Sequence, residues 1–305
     1  MRTPLLPLML LLAAPVTACH RGIASLDPVF PVEPSVRPQF LPPEDTLLTE
    51  RVSSTLRRGE AADGQEAEMT TVTRFTAEPG AWRLGQRVLQ ARYTRDGVPV
   101  QSLVDTVLRR VELDWRLAED GTFVGLAEPV ALAARIQDVL RREAAPGLDV
   151  TPLERFFAPD VLEERLRGEW EVKYGGLYGR TLTPGQRGYT VGTLPLGEGR
   201  VTYLLERTFL GTRLTEHGEA LVFSLVCLGP PGATSPEAVR DTLRAAGEPE
   251  LTPGVECGGE QLLGRGRFLP VRWTFTLRSE VGADTWTWAT RSTLESLESP
   301  PEETP

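Results

Sequence analysis

Apolar and polar residues alternate with a period of two in several separate segments, and this alternation constrains the fold more than any other feature. The clearest segment is 107–117. One face of it carries Val107, Val111, Leu113, Trp115 and Leu117, interrupted only by Arg109, and the other carries Arg110, Glu112, Asp114 and Arg116. Successive side chains of a strand point to opposite faces, so the pattern predicts an antiparallel strand with one covered and one solvated face.

Two hairpins and five further strands are predicted from the same alternation and from turn residues. Glu119-Asp120-Gly121 is typical of a turn that leads from the first strand into residues 122–125. The second hairpin joins residues 271–277 to residues 285–294 through Gly282-Ala283-Asp284. The further strands are expected at residues 47–56, 69–75, 83–93, 200–210 and 219–228.

Helices are predicted where capping signals and helical spacing coincide. Thr151-Pro152-Leu153-Glu154 has the pattern of a capping box, and Pro159 is expected to separate that helix from residues 160–167. Helical spacing also relates Leu132, Ile136, Val139 and Leu140, and a further helix is expected from Ser235-Pro236 to Gly247. The predicted fold class is therefore α+β, a mainly antiparallel, curved β-sheet with about three helices packed on one side.

The charge of the chain excludes one large class of partners. Its 305 residues carry a net charge of −9, and the charge is one unit more negative without residues 1–18, which contain Arg2 and no acidic residue. An acidic protein gains nothing from the counterion release that drives nucleic-acid binding, so we expect no nucleic-acid partner. Arginine almost wholly replaces lysine, because Lys173 is the only lysine of the chain.

The N-terminal segment combines Arg2, an apolar run over residues 5–14 and the sequence Val16-Thr17-Ala18-Cys19. This pattern resembles the lipobox signal peptide of bacterial lipoproteins. The resemblance covers residues 1–19 only and implies that residues 1–18 are removed and that the Cys19 thiol carries an acyl anchor. An ordinary secretory signal or a buried element is the alternative, although Pro7 and Pro15 would break a helix there.

The resemblance also implies a location. A lipidated Cys19 makes the membrane a partner through the N-terminal acyl anchor, and His20 in place of an aspartate favours the outer membrane, facing the periplasm. Residues 19–45 are proline-rich and predict an extended tether. Residues 46–297 form the expected body with two β-rich halves, and residues 298–305 an acidic, disordered tail.

Two further cysteines predict a structural crosslink. In an oxidising compartment Cys227 and Cys257 are expected to form a disulfide. The alternative is a redox or metal pair. It lacks the Cys-x-x-Cys spacing, and the nearest histidine, His217, lies ten residues before Cys227. We therefore predict a disulfide and no metal site.

No catalytic or cofactor signature is present, and neither catalytic residues nor a cofactor are predicted. His217 is interpreted as a solvated turn residue, and Glu163 with Glu164 as a solvated helix face. The segment 264–269 begins like a dinucleotide loop but lacks the strand-to-helix context, so it is interpreted as a loop before a strand.

The tryptophans near the C-terminus are the remaining candidates for a ligand or partner surface. Trp273, Trp286 and Trp288 would lie close together if the last two strands pair, either as core or as a hydrophobic groove. The leading hypothesis is a non-enzymatic binding or assembly module that contacts an envelope protein or an apolar ligand. The alternatives are a lipid or lipoprotein carrier with an apolar cavity, as in half-barrel lipoproteins of the outer membrane, and a hydrolase of envelope polymers.

Overall fold

The computed structural model describes residues 35–59, 64–100, 102–196, 199–232 and 234–298. The predicted signal peptide, Cys19 and almost all of the acidic tail lie outside the described residues. Twelve strands are described: β1 Leu47–Arg58, β2 Gly64–Glu78, β3 Ala81–Arg95, β4 Val98–Val100, β5 Leu113–Ala118, β6 Phe123–Leu126, β7 Arg187–Leu196, β8 Gly199–Thr215, β9 Gly218–Leu228, β10 Glu256–Gly264, β11 Pro270–Val281 and β12 Asp284–Glu298. Five helices are described: α1 Leu103–Arg110, α2 Pro129–Glu143, α3 Thr151–Phe156, α4 Pro159–Tyr174 and α5 Glu237–Ala245.

All twelve strands belong to one sheet. Its order is β6-β5-β3-β2-β1-β12-β11-β10-β9-β8-β7, with β4 beside β3, and the pairings between strands are antiparallel. The first and last strands, β1 and β12, therefore pair in the middle, and each half of the chain extends outward from this seam.

The sheet bends around helix α4. The two edge strands β6 and β7 both contact this helix, so the concave face of the sheet encloses it. Along α4, Leu162, Leu166 and Trp170 recur every four residues and are buried, and they join a core that contains residues of α1, α2, α3 and the sheet. Helix α4 thus closes the gap between the two edges.

The predicted fold class, α+β with about three helices on one side, is wrong. The chain forms one large antiparallel sheet with five helices among the described residues, and these helices lie on both faces. Leu204 of β8 packs with Val239 of α5, whereas Arg207, on the opposite face of the same strand, donates hydrogen bonds to α4. Alternation shows that a strand has two faces, but it does not show which helix covers each face.

The strand predicted at 107–117 is also wrong over its first half. Helix α1 occupies Leu103–Arg110, and only β5, Leu113–Ala118, is a strand. The Ser102 side chain accepts a hydrogen bond from the Val104 backbone N–H at 3.2 Å and caps the helix. Val104, Val107 and Leu108 are buried at helical spacing, so a helical and an alternating pattern overlap in this segment.

The other predicted elements are confirmed in position, most of the strands with longer bounds and α5 with shorter ones. Both hairpins form, β5 with β6 and β11 with β12, and the five further strands correspond to β1, β2, β3, β8 and β9. Residues 160–167 lie within α4, and the helices around 132–140 and 236–247 are α2 and α5. The capping box is wrong, because Thr151 is itself helical and its backbone N–H donates to Asp149 Oδ1 at 3.0 Å.

The N-terminal described residues lie on the body. Val36 and Leu182 exchange two backbone hydrogen bonds, of 2.8 and 2.6 Å. Phe40 is 4% exposed and packs against Trp170, Tyr178 and Phe268, with ring centroids 5.1 to 6.1 Å apart. The predicted tether of 19–45 therefore includes a segment, from residue 36 onward, that packs on the sheet and α4 instead of extending away from them.

Candidate ligand cavity

A cavity of about 60 Å³ lies between the concave face of the sheet and helix α4. We call it the α4 cavity. It is several times larger than the roughly 10–15 Å³ that one buried water needs. Its lining residues are Leu48, Glu50, Thr73, Phe75, Leu84, Gln86, Trp115, Leu166, Glu169, Trp170, Lys173, Tyr174, Phe268 and Pro270.

The positions of these residues follow from the periods of their elements. On β1, Leu48 and Glu50 are two residues apart and share a face, and pairs with the same spacing come from β2 and β3. On α4, Leu166, Glu169, Trp170, Lys173 and Tyr174 recur at three- and four-residue spacing and form one stripe. The cavity is thus the space that remains between one helix stripe and the inner faces of the N-terminal strands.

One wall of the cavity is aromatic. Trp170 stacks on Phe268 at 5.7 Å between ring centroids and contacts Tyr174 at 4.6 Å. The indole N–H of Trp170 donates to the Gly121 backbone carbonyl at 2.8 Å, which fixes the ring. Trp115 of β5 also lines the cavity, and it is buried. These rings present a rigid apolar surface with little side-chain freedom.

Three charged side chains meet in this mainly apolar space. Lys173 Nζ lies 2.6 Å from Glu169 Oε1, and the two side chains are only 25% and 33% exposed. Glu50 Oε1 accepts a hydrogen bond from Ser292 Oγ at 2.6 Å. Within the part of the chain that is described, no lysine or arginine forms a salt bridge with Glu50. Its carboxyl group therefore lacks the direct cationic partner that Glu169 has.

The surroundings shift the pKa values of these groups. Burial raises the pKa of Glu50 above its ordinary value, and the hydrogen bond from Ser292 and the charge of Lys173 only partly oppose this. Burial alone would lower the pKa of Lys173, but Glu169 and Glu50 raise it overall. Burial likewise holds the pKa of Tyr174 well above its usual range. The lysine is therefore charged and the tyrosine neutral across the physiological pH range.

A smaller cavity of about 10 Å³ lies on the other side of the same charged group. It shares Glu50, Lys173, Tyr174 and Pro270 with the α4 cavity, and its remaining lining residues are Gln261, Leu262, Leu263, Arg272, Trp273 and Ser292. The Gln261 amide donates to the Lys173 backbone carbonyl at 2.6 Å, which ties the end of α4 to β10.

Arg207 fixes the same end of α4. Its guanidinium donates to the backbone carbonyls of Val172 and Gly175 at 2.5 and 3.2 Å, where the helix leaves acceptors unpaired. Burial lowers the pKa of Arg207 to about 10, so it remains charged. The helix terminus that carries Lys173 is therefore held by side chains of β8 and β10.

The predicted tryptophan surface is only partly assembled. Trp273 and Trp288 are each 6% exposed and pack on Phe275 at 5.9 and 5.7 Å. Trp286 is half-buried, with the Arg58 guanidinium 5.9 Å from its ring centroid. Of the three, only Trp273 borders one of the two cavities, the smaller one.

Two side chains interpreted as solvated have structural partners. The His217 side chain is 15% exposed, and its Nε2 lies 3.1 Å from the Leu294 carbonyl oxygen, so the interpretation as a solvated turn residue is wrong. Glu163 accepts a hydrogen bond from the backbone N–H of Leu126 at 3.2 Å, whereas Glu164 is exposed. Sequence spacing does not show that β12 and β6 lie against these positions.

The disulfide between Cys227 and Cys257 is present, and it joins β9 to β10 with a Cα–Cα distance of 4.9 Å. Among the described residues, no group of three or more histidine, cysteine, aspartate or glutamate side chains could hold a metal ion. None of the helices in the described ranges is long and apolar enough to cross a membrane.

Sequence reasoning missed the charged group in the α4 cavity. Two signals were present: Lys173 is the only lysine of the chain, and Glu50 interrupts the apolar face that Leu48, Val52 and Leu56 form on β1. A carboxylate on the covered face of a strand indicates a buried polar site. The two signals belong to one site only because β1 and α4 both line the cavity, which the sequence does not show.

No protein-family model and no curated protein matches the sequence. One similar solved structure is titled for lipid–protein interactions in lipovitellin, with 8% identity and a TM-score of 0.45. The match covers 86% of this chain, but the chain spans only 26% of that lipovitellin chain. Another is a putative exported protein with a YmcC-like fold from Bacteroides fragilis NCTC 9343, with 13% identity, a TM-score of 0.27 and coverage of 85% and 98%. Both are distant similarities and assign no function.

Proposed function

We propose that this protein is a non-enzymatic, lipid-anchored protein of the cell envelope that binds a small amphipathic ligand in the α4 cavity. The observation that carries the proposal is the cavity itself, which is lined by an aromatic wall and by the half-buried Glu50, Glu169 and Lys173 side chains. Ligand sites are typically concave and mainly apolar, with a few polar groups that orient the ligand.

The size of the cavity favours binding over hydrolysis of a polymer. A volume of about 60 Å³ accommodates an organic group of a few heavy atoms. Glu50 lies on the sheet and Glu169 on α4, which packs over it, so a polymer chain that passed between the two carboxyl groups would have to displace the helix. Glu169 is also engaged by Lys173 at 2.6 Å. The hydrolase alternative therefore has less structural support than the binding hypothesis.

The anchor remains a proposal based on the sequence. Cys19 follows a lipobox-like segment, and we propose that its acyl chains hold the acidic body at the outer membrane, facing the periplasm. Intact-mass measurement of the native protein tests this part. A mature protein that begins at Cys19 and carries fatty acyl mass supports it, and an unprocessed or unacylated N-terminus contradicts it.

Carriage of a lipid or lipoprotein acyl chain is a second candidate function, favoured by one observation. Trp273, Phe275 and Trp288 continue the apolar concave face beyond the α4 cavity and contact Val172 of α4 within one core. A whole acyl chain would need this space, which α4 partly fills. Mass spectrometry of a lipid extract from the purified protein tests it, because a stoichiometric co-purified lipid is expected for a carrier and none for a binder of small ligands.

The cavity is tested by filling it. Leu166 lines the cavity, whereas Leu162, one turn earlier on α4, is equally buried but does not. We expect Leu166→Phe to weaken binding of ethanol, a small neutral amphiphile, at least tenfold in calorimetric titration of the full-length protein. Leu162→Phe is the matched control for overpacking and should bind like the parent. Equal affinity in all three proteins would contradict the proposed site.

A further inference from the structure

The α4 cavity holds an unbalanced set of charges. Two carboxyl groups, of Glu50 and Glu169, and one ammonium group, of Lys173, line it. Lys173 is already paired with Glu169 at 2.6 Å, while Glu50 has the Ser292 hydroxyl as its close partner. An ionised carboxylate in an apolar space is costly unless a positive charge is near it, so Glu50 is the unmatched group.

The walls around this carboxyl group suit a positive charge. Trp115, Trp170, Tyr174 and Phe268 all line the cavity. Aromatic faces attract cations through the ring quadrupole, and the attraction is stronger where water is excluded. Rings combined with an unmatched carboxylate are the chemistry that recognises alkylammonium groups.

We propose that the polar group of the ligand is a small organic cation, an alkylammonium, held between the Glu50 carboxylate and the aromatic wall. This inference rests on the proposed function, since it names the class of ligand that the α4 cavity binds. The volume of about 60 Å³ is less than half of the roughly 150 Å³ that holds benzene, so it suits the small head of a primary alkylammonium, with two or three heavy atoms.

Other charged ligands fit the cavity less well. An anion would compete with Glu169 for Lys173 and would lie beside the carboxylate of Glu50. A divalent metal ion needs about six oxygen ligands, and within the described residues no suitable cluster of even three carboxylate, histidine or cysteine groups exists. An organic cation needs neither the displacement of Glu169 nor further oxygen ligands.

The charge of Glu50 also predicts a pH dependence of binding. The titratable and charged groups that face it are Glu169, Lys173 and Tyr174 on α4 and, across the smaller cavity, Arg272 on β11, which is engaged by Glu260 at 2.7 Å. Burial raises the pKa of Glu50, and a bound cation favours the ionised form, so at pH values near the folded-state pKa binding of a cation is coupled to release of a proton from this carboxyl group. Affinity for a cation therefore rises with pH through the folded-state pKa of Glu50.

Three probes of one shape and different charge test the inference on the full-length protein. Ethylammonium is the cation, ethanol is its neutral isostere and acetate is an anion of similar size. We expect calorimetric titration to show ethylammonium binding at least tenfold more tightly than ethanol, and acetate more weakly than either. In Glu50→Gln the preference for ethylammonium should fall below threefold while the affinity for ethanol is kept. Glu164→Gln, on the exposed face of α4, is the control and should behave like the parent.

The outcomes separate this inference from the proposed function. Binding of ethanol or acetate without a preference for ethylammonium overturns the cation assignment and leaves the cavity as a ligand site. No binding of any probe to the parent protein overturns both. If Glu50→Gln does not fold, the relative affinities of the parent protein for the three probes still test the cation assignment. A preference for ethylammonium that survives in a folded Glu50→Gln protein overturns the role of Glu50.

Discussion

Lys173 is the residue on which the chemistry of the α4 cavity depends. It is the only lysine of the chain, its ammonium lies 2.6 Å from Glu169, and the charge of Glu50 also raises its pKa. Removing one member of a buried ion pair leaves an uncompensated charge, which costs far more than an exposed pair contributes. The lysine therefore compensates the Glu169 carboxylate directly and acts on Glu50 only through its charge, without a salt bridge.

We expect Lys173→Met to lower the free energy of unfolding by about 3 kcal/mol, near the lower end for a broken buried pair because both side chains are partly exposed to the cavity. The double variant Lys173→Met/Glu169→Gln should recover at least half of this loss, since it removes the unpaired charge. Urea denaturation of the single and double variants measures the coupling. A double variant whose loss of unfolding free energy equals the sum of the losses in Lys173→Met and Glu169→Gln alone would contradict a paired role for the two side chains.

Asp149 gives a residue-level prediction with a defined pH dependence. Hydrogen bonds from the side chain and backbone N–H of Thr151 hold the pKa of Asp149 below its ordinary value of 3.8. The folded-state pKa is depressed, so the stabilisation is present above the unfolded-state pKa and is lost as the pH falls through the folded-state value. Asp149→Ala should lower the melting temperature near neutral pH more than Thr151→Ala does. This difference should vanish in strong acid, and a difference that persists there would contradict the role of the Asp149 carboxylate as the acceptor of these hydrogen bonds.

At the level of elements, helix α4 protects an edge of the sheet. Glu163 accepts the Leu126 backbone N–H, and the Arg167 guanidinium donates to the carbonyls of Phe123 and Val124, each at 3.2 Å. These are the backbone groups that an edge strand otherwise leaves open to another chain. The helix thus satisfies the edge of β6 with side chains instead of a further strand.

Adjacent glutamates of α4 allow a matched test of this edge. Glu163→Ala is expected to cost about 1–2 kcal/mol of unfolding free energy, because the Leu126 N–H loses its acceptor. Glu164→Ala, whose exposed side chain lies 3.7 Å from Arg200, should change stability by less than about 0.5 kcal/mol. Thermal unfolding with light scattering detects both the stability loss and edge-to-edge association. Equal effects of the two substitutions would show that β6 does not depend on Glu163.

β10 and α1 were not predicted from the sequence, because neither segment shows one unbroken apolar period. β10 contains Gly258 and Gly259, which are typical of a loop. A Cβ on Gly259 would lie 2.1 Å from the Thr274 carbonyl oxygen, so the glycine is needed for strand packing. Segment 107–110 fits both a helical and an alternating period, and the cap at Ser102 favours the helix. β11 was predictable because its apolar residues Val271, Trp273, Phe275 and Leu277 alternate without a break.

At the level of the whole molecule, the two halves meet where β1 pairs with β12, and the candidate site crosses this seam. Ser292 of β12 donates to Glu50 of β1, and Lys173 reaches the same space from α4. These residues are far apart in sequence, and no local pattern relates them. The charged site was therefore not predictable from the sequence. An apolar cavity, by contrast, was among the alternatives that the sequence analysis gave.

The disulfide stabilises the C-terminal half of this assembly. It closes a loop of about 30 residues that contains α5, and the chain-entropy model gives about 3.5 kcal/mol for such a loop. We expect the Cys227→Ser/Cys257→Ser protein to lose about this free energy of unfolding in urea denaturation. The unmodified protein under strongly reducing conditions is the control and should lose a similar amount. An unchanged midpoint in both would contradict a stabilising role.

The α4 cavity as a ligand site has one direct test that uses the single lysine. Protein labelled with ¹⁵N-lysine gives one backbone amide signal, that of Lys173 in α4. On titration with ethylammonium we predict that this signal shifts to a saturable end point, and that Leu166→Phe weakens the response while Leu162→Phe does not. A signal that stays in place, or that moves without saturation in all three proteins, with ethylammonium and with ethanol alike, would contradict the central claim.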